Sequence, residues 1–205
     1  MEIAKILENK GKNRIYGLIG NISITTNNYN YGIVTDSYFK NTIKEYLNSD
    51  KSNSALKMVM LEDNYLYKSA HELTNSDLKK VNLAKILIEN KDYIILDYFD
   101  KGLNKKEKEN FRRILKFIAN NYNKTIVIFT NDITFMWDIL DELIIVDNND
   151  VIHNISKQNI FNSLELIDKP EIIKFIELVK SKNIKIDYYK NTMDLLKAIY
   201  RIKGD

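Results

Sequence analysis

Apolar positions along the chain follow two rhythms. Short unbroken runs rich in Ile and Val occupy Arg14–Gly20, Tyr31–Val34, Tyr93–Asp97, Thr125–Thr130 and Leu143–Asp147. Runs of that kind read as strands buried on both faces of a parallel sheet. Between them the apolar residues take helical spacing. The pattern predicts helices over Phe39–Leu47, Ala55–Leu61, Leu73–Leu87, Lys105–Asn121 and Ile133–Leu140. In the fourth of these, Phe111, Ile114, Leu115 and Ile118 fall at i, i+3, i+4 and i+7. In the third, Thr74-Asn75-Ser76-Asp77 can cap the start, ahead of Leu78, Val81, Ala84, Ile86 and Leu87. Strand alternating with helix argues a parallel α/β sheet.

The two ends differ from this middle. Met1–Lys12 is short and mixed, with Asn9-Lys10-Gly11-Lys12-Asn13 as a turn signal. Asn148-Asn149-Asp150 is a turn before Val151-Ile152, and three helices follow at Lys157–Phe161, Pro170–Lys182 and Thr192–Ile202. Pro170 suits the first turn of the second helix. With no repeats or low-complexity linkers, this tail is expected to pack on the main domain.

Composition narrows the function classes. A chain of 205 residues supports one domain with a sizeable core and a small appendage. A net charge of +3 with 44% hydrophobic residues gives no argument for nucleic-acid binding. Without cysteine, disulfides and thiolate metal sites are excluded, and His71 and His153 are too few for a histidine cluster. No apolar run approaches a membrane span and no secretion signal is expected, so membrane contact would go through a partner protein.

The chemistry centres on Tyr93–Asn104. Asp97 ends a buried strand, the edge where open α/β sheets bind their ligands, and in nucleotide-hydrolysing proteins such an Asp holds Mg²⁺. The other reading is an Asp that ends the strand and caps the turn.

The segments on either side resemble the ATP-binding subunits of ABC transporters in order and spacing. Asn41–Leu47 is similar to the stretch after that family's glutamine loop. Leu66–Thr74 leads into the signature position, and Val81–Leu87 resembles the helix after it. Ile94–Asn104 takes the Walker B and D-loop positions, and Thr125–Asp132 the strand and switch loop. The tail, with Ile160-Phe161-Asn162-Ser163, Phe175-Ile176-Glu177-Leu178 and Thr192–Leu196, resembles the C-terminal extension of energy-coupling factor transporter ATPases.

The resemblance implies an ABC-ATPase, P-loop NTPase-like fold: a parallel sheet flanked by helices, with a small helical subdomain and a helical C-terminal extension. It sets a trimmed cassette domain at 1–154, with the helical subdomain over about 39–88, and the extension at 155–205. It also implies pairing with an intact ABC ATPase beneath a membrane T-type component, no nucleic-acid partner, and a cytoplasmic, peripheral place on the inner face of the membrane.

The departures fall on the chemistry. A phosphate loop needs glycines, a Lys and a Ser/Thr for Mg²⁺. Here Gly17-Leu18-Ile19-Gly20 runs into Asn21 to Asn27 without a lysine, with Thr25 and Thr26 as remnants. No helix follows whose N-terminus could face the anion, and the stretch to the next strand looks deleted. Tyr98 stands where the family has its catalytic Glu, and a phenol of pKa ~10 is a poor base at neutral pH. Asn131 replaces the switch His, Asn104 the D-loop aspartate, and Asp36 the sensing glutamine. The signature Leu-Ser-Gly-Gly-Gln has become Leu73-Thr74-Asn75-Ser76-Asp77, where Asp77 would add a repelling charge.

Remnant nucleotide positions are therefore Gly20, Thr25, Thr26, Asp36, Thr74, Asn75, Ser76 and Asp77. Asp97 is the one metal candidate, a structural role being favoured over Mg²⁺. Partner coupling falls to Asp36, Tyr38, Phe39 and Lys44. The reading is a degenerate, non-hydrolysing cassette that dimerises with an ATPase in an energy-coupling-type transporter. Two alternatives stand beside it. One is an active or nucleotide-binding ATPase with an unusual site, in which Lys10 or Lys12 rebuilds the phosphate contacts. The other is an interaction protein that kept only the fold. ATP and Mg²⁺ enter only if the site is rebuilt or a partner supplies it.

Overall fold

The computed structural model describes residues 3–20, 24, 30–147, 150–157, 159, 160, 163, 169–189 and 192–203. Six strands form one sheet: β1 (Ile15–Gly20), β2 (Tyr31–Val34), β3 (Tyr93–Asp97), β4 (Thr125–Phe129), β5 (Glu142–Asp147) and β6 (Asp150–Ser156). Their order is β2-β3-β4-β1-β5-β6, parallel except for the antiparallel β5–β6 pair. The expected strands at the centre form as read. Beyond the expected Val151-Ile152, the whole of Asp150–Ser156 pairs with β5 as an edge strand.

Alternation along each strand divides the core in two. One face carries Ile15, Val34, Ile94, Leu96, Ile126, Ile128 and Leu143. It packs on helices α2 (Ile43–Leu47), α3 (Ser52–Met58), α4 (Asn75–Ile88), α5 (Lys105–Tyr122), α6 (Ile133–Met136), α7 (Glu171–Ser181) and α8 (Thr192–Lys203). The other face carries Tyr16, Leu18, Ile95, Val127, Phe129, Ile144 and Val146, and packs on α1 (Ile3–Leu7). No helix was expected there. Ile3, Ile6 and Leu7 supply one turn of apolar surface, and it is the burial of all three that holds so short a helix.

Local chemistry sets the helix ends. Asn104 caps α5 by accepting from the Glu107 backbone N–H at 3.0 Å, while Glu107 accepts from the Asn104 N–H at 2.8 Å. Asn123, in the left-handed region, closes the same helix. Phe111, Ile114, Leu115 and Ile118 are fully buried, each stabilising the fold by about 1.5–3 kcal/mol. Thr42 does for α2 what Asn104 does for α5, so that helix starts at Ile43 and not at Phe39. Likewise α3 runs from Ser52 and ends at Met58, before Met60 turns to φ 58°. After Met136 the chain continues as turn, short of the expected end at Leu140.

Ile173 and Ile176 of α7 and Leu195 of α8 join the same buried cluster as α5, α6 and one face of the sheet, so the tail packs on the sheet domain as expected. The helix expected at Lys157–Phe161 lies partly outside the described residues. Among the described residues, no helix is long and apolar enough to cross a membrane.

Candidate functional site

In this strand order the C-terminal ends of β1, β4 and β3 lie side by side, the edge at which open α/β sheets place ligands. Leu18, Phe129 and Asp97 stand in register across it. Beyond the ends of β3 and β4 opens a cleft of about 510 Å³, lined by Tyr98, Asp100, Lys101 and by Thr130 to Thr134.

Each wall is positioned by backbone bonds. Tyr98 donates its N–H to the Phe129 carbonyl at 2.8 Å, and Thr130 donates to Leu18 at 3.2 Å, so both turns leave the sheet in fixed directions. Tyr98 adopts φ 45°, an uncommon conformation for a bulky residue and a common one at functional turns. Its ring meets Phe129 edge-on at 4.7 Å, and the Lys101 ammonium lies 3.8 Å from its centre. Gly102, at φ 74°, closes the turn where a Cβ would lie 2.5 Å from Nδ2 of Asn75. The turn after β3 thus meets Asn75 at the start of α4.

The charges in the cleft are arranged around Lys108 of α5. Its Nζ lies 2.6 Å from Asp132 and 3.9 Å from Asp100. Burial pushes the Asp132 carboxyl up, but the Lys108 ammonium and the bonds from Thr134 outweigh it, holding the group below its ordinary range. Asp132 also caps α6, accepting from the Thr134 N–H at 3.0 Å. Asp100 is 7% exposed, and its Oδ1 is buried without a hydrogen-bond partner. Asp97 is pushed up by burial, with Lys101 opposing. Among the described residues no three His, Cys, Asp or Glu side chains are grouped to hold a metal.

The other expected site residues fall in several places. Gly20 ends β1 at φ 133°, and a Cβ there would come within 1.8 Å of the Val146 carbonyl oxygen, so the position admits only glycine. Thr25 and Thr26 lie outside the described residues. Asn131 lines the cleft and is exposed. Thr74 caps α4, accepting from Asp77 N–H at 3.1 Å, and Ser76 is buried. Asp77 is paired within the chain: Lys80 lies 3.2 Å from one oxygen and the Thr74 hydroxyl donates to the other at 2.9 Å. Asp36 receives Lys79 at 2.6 Å.

Two expectations are corrected. Lys10 pairs with Glu142 at the start of β5 and donates to Asn154 at 3.0 Å. Asn13, just beyond Lys12, donates its N–H to the hydroxyl of Thr125 at the start of β4. Both lysines therefore sit at the opposite edge of the sheet from Gly20 and Asp97, and cannot rebuild phosphate contacts there. Phe39 is not a surface residue: it is 9% exposed and stacks on Tyr46 at 4.4 Å. Tyr38 and Lys44 remain exposed, Tyr38 at 71% with its ring stacked 6.2 Å from His71.

Sequence reasoning missed Asp100, Lys108 and Asp132 as a group, because they come from three segments with no local motif. It also missed Lys79 of α4, which is 1% exposed. A lysine on the apolar side of a capped helix was the available signal.

This sheet order, with helices packed around it, is the fold of ATP-binding cassettes. The dimeric post-hydrolysis structure of the cassette MJ0796 bound to ADP and Pi superposes with a TM-score of 0.61 at 18% identity, covering 73% of this chain and 88% of that one. The structure of cbiO1 from Clostridium perfringens, part of the ABC transporter complex cbiONQ, gives 0.63 at 16% identity, covering 81% and 88%.

Within that class the chain resembles the energy-coupling factor transporter ATP-binding proteins, as its motifs imply. It is 29% identical over 136 residues to EcfA2 of Mycoplasma capricolum, covering 64% of this chain and 47% of that protein. It is 26% identical over 163 residues to EcfA3 of Oenococcus oeni, covering 77% and 56%. The chain spans about half the length of the curated relatives it matches. No protein-family model matches it.

Proposed function

We propose that this chain is a non-hydrolysing cassette subunit of an energy-coupling-type transporter, working beside an intact ATPase and beneath a membrane component. The observation that carries this is the pair at the mouth of the cleft. Tyr98 takes the place of a carboxylate base, its ring packed against Phe129 and beneath Lys101, and Asn131 takes the place of a histidine. A phenol and an amide cannot exchange a proton with an attacking water at neutral pH. Of the lysines nearest in sequence to the phosphate-loop remnant, Lys10 is paired with Glu142 at the far edge of the sheet, and Lys12 precedes Asn13, which is bonded to Thr125 at that same edge. Losing one charge-stabilising donor typically costs ~10²–10³ in rate, so losing base, switch and lysine together leaves little catalysis.

The same reading divides the chain into a trimmed cassette at 1–154 and a helical extension at 155–205. Contact with the membrane component falls to the exposed Tyr38 and Lys44 beside Asp36, and the chain is held at the inner face of the membrane through that partner. Asp97 is then a vestige of the metal site.

The test is a calorimetric titration of the purified chain with millimolar Mg²⁺ and ATP. The expected outcome is no saturable heat. Saturable binding would point to a rebuilt nucleotide site and reopen the question of activity, and release of phosphate in the same mixture would overturn the proposal.

A further inference from the structure

Three polar side chains at i, i+3 and i+6 of α4, Lys79, Asn82 and Lys85, grip the segment from Thr35 to Leu47. Lys79 Nζ reaches Asp36 Oδ1 at 2.6 Å. Asn82, 4% exposed, donates to the carbonyls of Thr35 at 2.6 Å and Ser37 at 3.1 Å, and accepts from the Tyr46 hydroxyl at 3.1 Å. Lys85 donates to the carbonyls of Tyr46 at 3.1 Å and Leu47 at 3.3 Å, the last turn of α2, where a cation is favoured.

Lys79 stands apart from the other two. It is buried to 1% exposure while the carboxylate it meets is 57% exposed, so the ammonium has given up water to reach an anion that has not. A desolvated lysine needs a compensating contact, and packing alone would be served by an apolar residue. Its Nζ also lies 5.0 Å from the ring of Phe99, which follows Tyr98 in the turn lining the cleft and meets Phe111 of α5 edge-on at 4.6 Å. One ammonium therefore joins three segments: the loop after β2 that presents Tyr38, the helix at the signature position, and the turn after β3.

We propose that Lys79 is a latch that ties the Tyr38-bearing surface to the cleft turn in a fixed orientation without any ligand in the cleft. The latch deepens the proposed function and rests on it for its purpose: a subunit that does not turn over nucleotide holds its partner surface in place by an internal cation. Asn82 and Lys85 fix the backbone of the same segment along α4, and Lys79 alone carries the connection on to Phe99.

Hydrogen exchange followed by mass spectrometry on the full chain, in nucleotide-free buffer, tests this. Lys79→Met keeps the length and burial of the side chain and removes the charge. Asp36→Asn alters only the exposed partner and leaves the core intact. Both variants should speed exchange by about tenfold in peptides covering residues 35–42 and 97–104, while β1, β4 and β5 stay at the wild-type rate. Unchanged exchange in those two segments would overturn the latch. A uniform rise across all peptides would overturn it too, by making Lys79 a general packing residue. Because nucleotide is absent throughout, ATP binding and phosphate release in the tests of the proposed function would remove the non-hydrolysing reading while leaving this result to stand or fall by itself.

Discussion

The cleft beyond β3 and β4 and the seam between α4 and residues 35–47 are built from the same materials, lysines set against carboxylates and amides, and they come out differently. Along the seam the side-chain nitrogens of Lys79, Asn82 and Lys85 all reach oxygens within 3.3 Å. In the cleft, Lys108 sits between Asp100 and Asp132 but bonds only the second, and Asp100 keeps a buried oxygen with no partner. Tyr98 adds a left-handed backbone at the same place. Satisfied buried polar groups stabilise modestly, whereas an orphaned one costs about 1–3 kcal/mol. The seam is thus organised for stability, and the cleft keeps a buried carboxylate oxygen whose bonding is unmet.

The largest effect should come from breaking the seam at its centre. Asn82→Leu removes two donated bonds and one accepted bond from a side chain that is almost wholly buried. The expected loss is about 2–3 kcal/mol, read from urea denaturation midpoints at constant slope. A loss below ~1 kcal/mol would mean that water replaces Asn82 at the exposed Thr35 and Ser37, and the contrast between seam and cleft would weaken.

Next in size is Asp132→Asn. Asparagine retains the cap on α6, so the change isolates the charge pair with Lys108. The expected loss is about 1 kcal/mol at pH 7 for a pair only partly buried. Because the folded Asp132 pKa lies below its unfolded value of ~3.9, its contribution is complete above that value. It disappears as pH falls through the folded pKa, where wild type and variant should converge. Equal stability at pH 7 would show that Lys108 transfers fully to Asp100.

How far the molecule could be read in advance follows from where each interaction lies in the chain. β3 and β4 were legible because strands buried on both faces are continuous apolar runs, and α5 because Asn104, Glu107 and the Phe111–Ile118 stripe all lie within one segment. The short α1 was not, since Ile3, Ile6 and Leu7 make only one turn and gain meaning from the sheet face they cover. Most of β6 is exposed, which left little alternation to read beyond Val151 and Ile152. At the site, Tyr98 and Asn131 could be singled out by resemblance to the cassette motifs. The grouping of Asp100, Lys108 and Asp132 could not, because it depends on where α5 and α6 begin relative to the strand ends. The opposite-edge position of Lys10 and Lys12 likewise depends on strand direction, and nearness in sequence to Gly20 pointed the wrong way.

Smaller again is the change at the orphaned carboxylate. Asp100→Asn removes a buried charge whose contact with Lys108 is 3.9 Å long, and leaves Lys108 to Asp132. Stability should rise by up to ~1 kcal/mol, since deleting a poorly paired buried charge relieves more desolvation than it forfeits in attraction. Thermal unfolding monitored by circular dichroism reads this directly. A loss of more than ~1 kcal/mol would show that Asp100 is as well paired as the seam residues, and the comparison would fail on its weaker side.

The smallest effect belongs to Asp97, and its sign separates a vestige from a structural group. Burial raises its folded pKa above the unfolded ~3.9, with Lys101 opposing, so the ionised carboxylate weighs slightly against the fold. That penalty is present at pH values above the folded pKa. It fades as pH falls through the folded pKa towards ~3.9, below which both states are protonated. Asp97→Asn should therefore gain a few tenths of a kcal/mol at pH 7, with screening at an exposed carboxylate keeping the value small, and the gain should vanish near pH 4. A loss at pH 7 would show that the ionised carboxylate itself holds the turn to Lys101, a role the closeness of that lysine to the Tyr98 ring argues against.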